Sequence, residues 1–415
     1  VGGLVGLLPS TSIEDSGAEV PVVGNADVGG LAGYIGTSNF YSFVRRSYAT
    51  GSVTGTQRVG GLIGSVNHEL SRIDSSHATG VVNNGNSADR YFGGLVAYNE
   101  GTIANSYATG GVALTQAPSF SGAGGLVGQN TGVIQSSWSQ GTVSAPRSNL
   151  YYGGLVGQND GSVSGSYSLA DVVQQPTITN GESYMAGLVG FNNKMGRITD
   201  SYAKGNIRLA DSSSPTNAKV AALVYRNTGT VETSYALIQV TTSTVNAQGQ
   251  YTPALGSAYS GGGLVGLGTT GVTRSYWYNP RLGTDAVTDV GTALSDSQFK
   301  QQAQFAGFDF VNTWVIYEGQ TAPMLRSFMT PVTLTPVSGS KTYDGSALWQ
   351  GGSYTPSTST STSMTVDTSK LLGSAVYTAD SKNVGPRSVT MSGLYSDQNG
   401  YIISYDPGTL TIEKA

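Results

Sequence analysis

Cysteine is absent from this 415-residue chain, histidine occurs twice, and Asp, Glu, Lys and Arg together make up only 11%. Without cysteine there is no disulfide framework and no thiolate metal site. A cysteine-free chain also suits a polypeptide that must stay unfolded while it crosses an oxidising compartment. The net charge of −4, with no basic tract, argues against nucleic acid or an anionic membrane surface as partner. No apolar run reaches transmembrane length, so direct membrane insertion is not expected. No signal peptide is present, but residue 1 falls inside a repeat phrase (VGGLVG), so the chain reads as a piece of something longer.

The missing residues also limit the chemistry. His68 and His77 are too few for a Ser-His-Asp set, and H-E-x-x-H does not occur. G-x-x-x-x-G-K-[ST] and calcium-type G-G-x-G-x-D repeats are missing too. Of the aspartates, Asp74, Asp160 and Asp200 lie in the fixed part of the repeat described below, but Asp74 and Asp200 occupy different columns of it. No catalytic residue, metal site or cofactor is therefore assigned, and the chain is expected not to be an enzyme. The alternative, a polysaccharide-processing β-helix, would need Asp, Lys, Arg or His gathered on one face of neighbouring coils.

What the chain has in abundance is glycine, 59 residues of it, much of it in one recurring phrase. G-G-L-[VI]-G and its variants place a leucine at Leu4, Leu31, Leu62, Leu95, Leu126, Leu155, Leu188, Leu223 and Leu264, a period near 31 residues. A second phrase, S-Y-A-T-G, follows each leucine, and in five repeats its serine lies 11 residues after the leucine. Three short β-type runs divided by Gly, Asn and Ser fill each unit. Such a unit cannot bury its own apolar face, but stacked copies can. The reading is all-β: a right-handed parallel β-helix (β-solenoid) over residues 1–278, its leucines and valines laddered inside. Glycine here supplies positive φ at corners and close approach between coils rather than a phosphate cradle.

Beyond the last copy the text changes. In 279–330, Ser295 and Gln298 form a capping-box start for one short helix with Phe299 on its apolar side, and Phe305, Phe308, Phe310, Trp314 and Leu325 cluster. This segment reads as the cap that an open solenoid end requires. From 331 to 415, alternating β-type residues and an Asp344-Gly345 turn indicate a separate small all-β domain.

These phrases resemble a family. G-G-L-V-G-x-N-x-G-x-I-x-x-S-Y-A-T-G is similar to the GLUG-motif repeat of large bacterial exoproteins. K-T-Y-D-G (341–345), K-N-V-G (382–385) and V-T-M-S-G-L (389–394) resemble the YDG/MBG-type domain that often follows it. The resemblance implies a filamentous-haemagglutinin-like exoprotein of the two-partner secretion pathway, of the biofilm-matrix adhesin type. It would be exported through an outer-membrane secretion partner and located at the cell surface or outside the cell. The degenerate first unit (TSIEDSGAEV) and Ala221-Ala222 in place of Gly-Gly depart from the pattern.

The functional expectation is a monomeric, non-enzymatic stalk that presents loops for adhesion, with extracellular polysaccharide or cell-surface glycan as partner. The other reading is a purely structural spacer. Candidate ligand-binding residues come from the variable insertions 81–92, 111–123, 142–152, 171–185, 206–220 and 238–260: Arg90, Tyr91, Phe120, Arg147, Tyr151, Tyr152, Tyr184 and Tyr251. A second candidate is the ring column of the S-Y-A-T-G phrase, Tyr48, His77, Tyr107, Trp138, Tyr167, Tyr202, Tyr235 and Tyr276, either an exposed sugar platform or a structural ladder. Its orientation is ambiguous. Lys204 argues that Tyr202 points outward, whereas Ile198, four residues earlier, should point inward, so the strand must bend between them or the rings are buried.

Overall fold

A computed structural model describes residues 1–85, 90–115, 122–146, 150–175, 182–209, 218–245, 251–255, 263–279, 290–358 and 365–415; of 218, 242–245 and 251–255 it describes the backbone alone. The chain divides into two units, Val1–Asp296 with Phe305–Gly307, and Ser297–Gln304 with Phe308–Ala415.

The first unit is a β-solenoid. Among the described residues, successive repeats add strands to four sheets whose pairings are parallel except for one antiparallel pair, Tyr235–Val245 with Tyr251–Leu255. One sheet stacks seven strands, from Val28–Gly29 to Ala218–Ala221. A second stacks nine, from Val5–Leu8 to Val265–Leu267, and a third also nine, from Ser12–Glu14 to Val272–Thr273. The fourth carries the S-Y-A-T-G strands and those that follow. Register is strict: Val127 pairs with Val156 and then Val189, and Ile73 with Ile103 and then Ile134. Like side chains are thereby stacked at one coil spacing, roughly 4.8 Å. The leucine column is fully buried from Leu31 to Leu264, whereas Leu4, in the first coil, is 54% exposed. Each such leucine contributes about 2 kcal/mol by leaving water.

The glycines of the repeated phrase have one job, not two. None of them has positive φ among the described residues. At Gly124 a Cβ would run into the carbonyl oxygen of Val127, and at Gly128 it would lie 2.7 Å from both Ala97 O and Phe92 N. Backbone meets backbone where the first two sheets turn into each other, which favours glycine in most coils, although Ala186 and Ala221 stand in the Gly124 column and Ala97 and Tyr225 in the Gly128 column.

Positive φ occurs instead one residue before the S-Y-A-T-G serine, at Asp15, Arg46, Ser75, Asn105, Ser136, Gly165, Asp200, Thr233 and Arg274, with φ of 45–52°. Eight of these nine are not glycine, which corrects the expectation. The following serine holds the strained corner. Ser137 Oγ donates to Gln135 O at 2.8 Å, spanning Ser136, and accepts from Ser106 N at 3.1 Å. The same pair of bonds recurs from Ser47 to Ser234, one serine per coil. This left-handed residue also shifts the strand's parity. Ile198 is fully buried, Asp200 has φ 45°, and Tyr202 then lies on the same side as exposed Lys204.

Among the described residues the second unit has an antiparallel pair, Trp314–Val315 with Met324–Leu325, and two larger sheets. One orders Tyr354–Ser357, Thr330–Pro336 and Tyr401–Tyr405; the other orders Gly339–Thr342, Gly408–Glu413, Gly385–Tyr395 and Leu372–Ala379. Val332, Leu334, Val389, Leu410 and Ile412 form its core. In K-T-Y-D-G, the Lys341 ammonium donates to Asp344 Oδ1 at 2.9 Å and to the carbonyls of Ser346 and Leu348, both at 2.7 Å. Gly345 has φ 76°.

Within the 279–330 stretch, residues up to Asp296 and Phe305–Gly307 group with the first unit, and Ser297–Gln304 and the residues from Phe308 onward with the second. The stretch contains the one-turn helix Asp296–Phe299, with Phe299 buried. Phe305 lies edge-on to Tyr276 at 5.0 Å within the solenoid unit. Residues 308–330 belong with the small β module. Tyr317 Oη donates to Tyr401 O at 2.7 Å and accepts from Ile403 N at 3.0 Å. Gln398 brackets Leu325 through both its N–H and its carbonyl.

Candidate ligand-binding surface

The ring column forms as the sequence implies. From Tyr48 through His77, Tyr107, Trp138, Tyr167 and Tyr202 to Tyr235, successive centroids are 4.7–5.7 Å apart and planes within 14° of parallel. The first four rings are half-buried, while Tyr167, Tyr202, Tyr235 and Tyr276 are 0–5% exposed. Tyr276 Oη donates to Ala306 O at 3.1 Å, and Phe305 meets both Tyr276 and Tyr235. Burial pushes the Tyr235 hydroxyl well above its usual range and the His77 imidazole below its own. Parallel stacking occupies the ring faces with one another and leaves edges to solvent. Sugars stack on faces, so geometry favours a structural ladder.

A second aromatic group is built where the outer faces of the first two sheets meet. Tyr151 and Tyr184 occupy register-paired positions. Their rings stack at 5.0 Å, Tyr184 stacks on Tyr225 at 5.1 Å, and Tyr151 lies 5.0 Å from Phe191. The Arg226 guanidinium covers Phe191 at 4.8 Å and donates to Tyr151 Oη at 3.3 Å. Tyr184 Oη donates to Glu182 at 2.8 Å, and burial followed by this carboxylate pushes Tyr184 up to about 12. Tyr91 lies one coil before Gly122 in the same column, and its ring is 6.3 Å from Tyr98.

The anticipated residues divide. Tyr91, Tyr151 and Tyr184 are half-buried on this flank, and Arg90 is exposed beside them. Tyr152 is not on the surface. It is 1% exposed, sits in the inward column with Phe92, Ala123 and Met185, and donates to Pro146 O at 2.7 Å. Strand alternation allows one of two adjacent tyrosines to face solvent, and Tyr151 takes that place. Arg147, Phe120 and the side chain of Tyr251 lie outside the described residues. Phe191, Tyr225 and Arg226 complete the group and were missed. Their signal was substitution inside the fixed V-G-Q-N phrase, where F and R replace Q and Y replaces G.

Residues 89–113 match Glug, the GLUG motif. A 117-residue stretch is 39% identical to halomucin of Haloquadratum walsbyi (strain DSM 16790 / HBSQ001), covering 27% of the chain and spanning about 1% of that protein's length. A GLUG motif is thereby shown at 89–113, and the sheets show a parallel β-solenoid.

The polar residues of the fixed repeat are engaged in the scaffold. Asp74 accepts from Asn105 at 3.0 Å, Asp160 from Asn193 at 2.9 Å, and Asp200 from Thr233 at 2.7 Å. His68 Nδ1 accepts from Leu70 N at 3.0 Å, and His77 is held between Tyr48 and Tyr107. Among the described residues, no three His, Cys, Asp or Glu side chains gather, and no helix is long and apolar enough to cross a membrane.

Proposed function

We propose that this chain is part of a secreted or surface-attached adhesin, a stiff stalk that binds extracellular polysaccharide without processing it. One observation carries the reading: the side-chain ladders run unbroken through coil after coil, while the departures from the repeat are aromatic and basic residues on its flank. A laddered scaffold resists bending and constrains its fixed positions to match their neighbours. Partner-specific contacts then fall to Arg90, Tyr91, Tyr151, Tyr184, Phe191 and Arg226. Weak contacts repeated along such a flank sum by avidity. Similarity to halomucin supports a place in a long protein outside the cell, and the GLUG repeat supports the exoprotein class.

The test is retention of beads coated with the full chain on polysaccharide-coated surfaces under flow. Retention that soluble polysaccharide competes away supports the reading. Beads that wash off every surface would leave the chain as a spacer.

A further inference from the structure

The turn between the second and third sheets is short in most coils but not in the second. Leu31 and Ser47 are 16 residues apart, against 11 in five other repeats. The extra residues carry Phe40 and Tyr41, which are 54% and 47% exposed. Exposing two adjacent rings brings no folding benefit, and nothing in the stacking of coils demands them. The insertion is nevertheless well held. Thr37 and Phe40 exchange backbone hydrogen bonds at 2.7 and 3.1 Å, and Gly36 turns with φ 74°. Buried Ser42 anchors the return, its hydroxyl donating to Leu8 O at 2.8 Å and its backbone N–H donating to Ser71 Oγ at 3.1 Å. Tyr41 meets Phe43 edge-on at 5.5 Å, and the Arg45 guanidinium covers Phe43 at 4.8 Å.

Beside these rings lies a cleft of about 430 Å³, lined by Phe40, Tyr41 and Phe43 together with Asn39, Ser10, Thr11 and Ser12. Its size falls within the roughly 300–1,000 Å³ of ordinary ligand pockets. The Ser10, Thr11, Ser12 and Asn39 side chains make no hydrogen bond to other described residues, so their donors and acceptors are free for a ligand. No charged side chain lines the cleft. A ligand suited to a lining of aromatic rings with neutral hydroxyl and amide groups is amphipathic, uncharged and rich in hydroxyls. A pyranose ring has that chemistry, with an apolar C–H face and a hydroxyl rim. A nucleotide or acidic sugar would need cations in the lining, and a protein hot spot would need a wider apolar surface.

We infer that the Asn39–Phe43 cleft is a binding site for a neutral pyranose, as a terminal residue or within a chain. The inference rests on the polysaccharide-binding reading above but places one contact at a corner separate from the Tyr151–Arg226 flank.

Saturation-transfer NMR of the full chain with methyl glycosides of glucose, galactose, mannose and N-acetylglucosamine tests it. At least one should receive saturation on its ring C–H protons. Tyr41→Ala and Phe40→Ala should each weaken binding about tenfold, because the stacking face is lost. Tyr343→Ala, an exposed tyrosine of the second unit, should change nothing. The melting temperature should stay constant throughout, since the altered side chains are exposed. No transfer to any glycoside, or equal transfer with parent and Tyr41→Ala, overturns the cleft. Bead retention on polysaccharide, measured on the same variants, separates the two ideas. If Tyr41→Ala beads are held as firmly as parent, the cleft assignment falls and the adhesin reading stands. If parent beads are never held while the glycoside signal depends on Tyr41, the cleft stands and the adhesin reading falls.

Discussion

The side-chain amide of Asn130 donates to the side-chain oxygen of Asn159 across 2.8 Å, and both residues are fully buried. The bond repeats at 2.8 Å from Asn99 to Asn130, Asn159 to Asn192 and Asn192 to Asn227. Each amide also caps a nearby backbone carbonyl, as Asn99 does at Gly101. At the start of the column, Val66 stands in register with Asn99, and the Asn99 side-chain oxygen has no donor among the described residues.

This predicts unequal outcomes for two substitutions. Asn130→Val strands the oxygen of Asn159 in the interior and should cost about 1–3 kcal/mol. Val66→Asn gives the Asn99 oxygen a donor but moves the orphaned acceptor one coil along, so stability should change by less than about 1 kcal/mol. Thermal denaturation of both variants checks this; equal destabilisation would mean the column is not a hydrogen-bonded ladder.

Adjacent residues at the strained corner should behave differently. Ser136 occupies the left-handed region at φ 45°, so Ser136→Gly should be neutral or stabilising by up to about 1 kcal/mol. Ser137→Ala removes the acceptor for buried Ser106 N–H and the bond to Gln135 O, and should cost about 1–3 kcal/mol. Denaturant midpoints of the two variants should move in opposite directions or differ by that margin.

Much of this scaffold is readable from the sequence, because ladders require like residues at fixed spacing. The leucine, asparagine and ring columns are visible for that reason. The left-handed corner is not, since Asp, Arg, Ser, Asn, Gly and Thr all occupy it and the serine after it supplies the restraint. That corner resolves the conflict between Ile198 and Lys204 over which way Tyr202 points. Tyr152 was misplaced by one step of strand alternation. Aligning it with Phe92 and Met185, each one residue ahead of its Gly-Gly or Ala-Gly pair, would have placed it inside. Arg226 and Phe191 escaped notice because attention to variable loops hides a substitution within a fixed phrase.

Residues 308–330 should stabilise the C-terminal module rather than merely precede it. A fragment of 308–415 retains the Tyr317–Tyr401 and Leu325–Gln398 bonds, which 331–415 lacks. The longer fragment should give dispersed amide spectra and melt at a higher temperature. Equal melting of the two would assign those contacts no energetic role.

The module's stability should fall in strong alkali. Burial raises Tyr317 to about 12 from an ordinary value near 10. In the unfolded chain the hydroxyl ionises first, so the stabilising contribution is complete below pH 10 and is lost as pH rises from 10 to 12. Tyr317→Phe should flatten that slope in denaturation midpoints recorded across the range. An unchanged slope would place the titrating group elsewhere.

The central claim is polysaccharide binding by a repetitive surface without cleavage. The most direct measurement is the apparent affinity of the full chain for one bound polysaccharide prepared at graded lengths, with polymer size recorded before and after incubation. The account predicts that affinity climbs steeply with length, as contacts along the flank add up, and that polymer size does not change. Length-independent affinity, or polymer shortened by the protein, would contradict it.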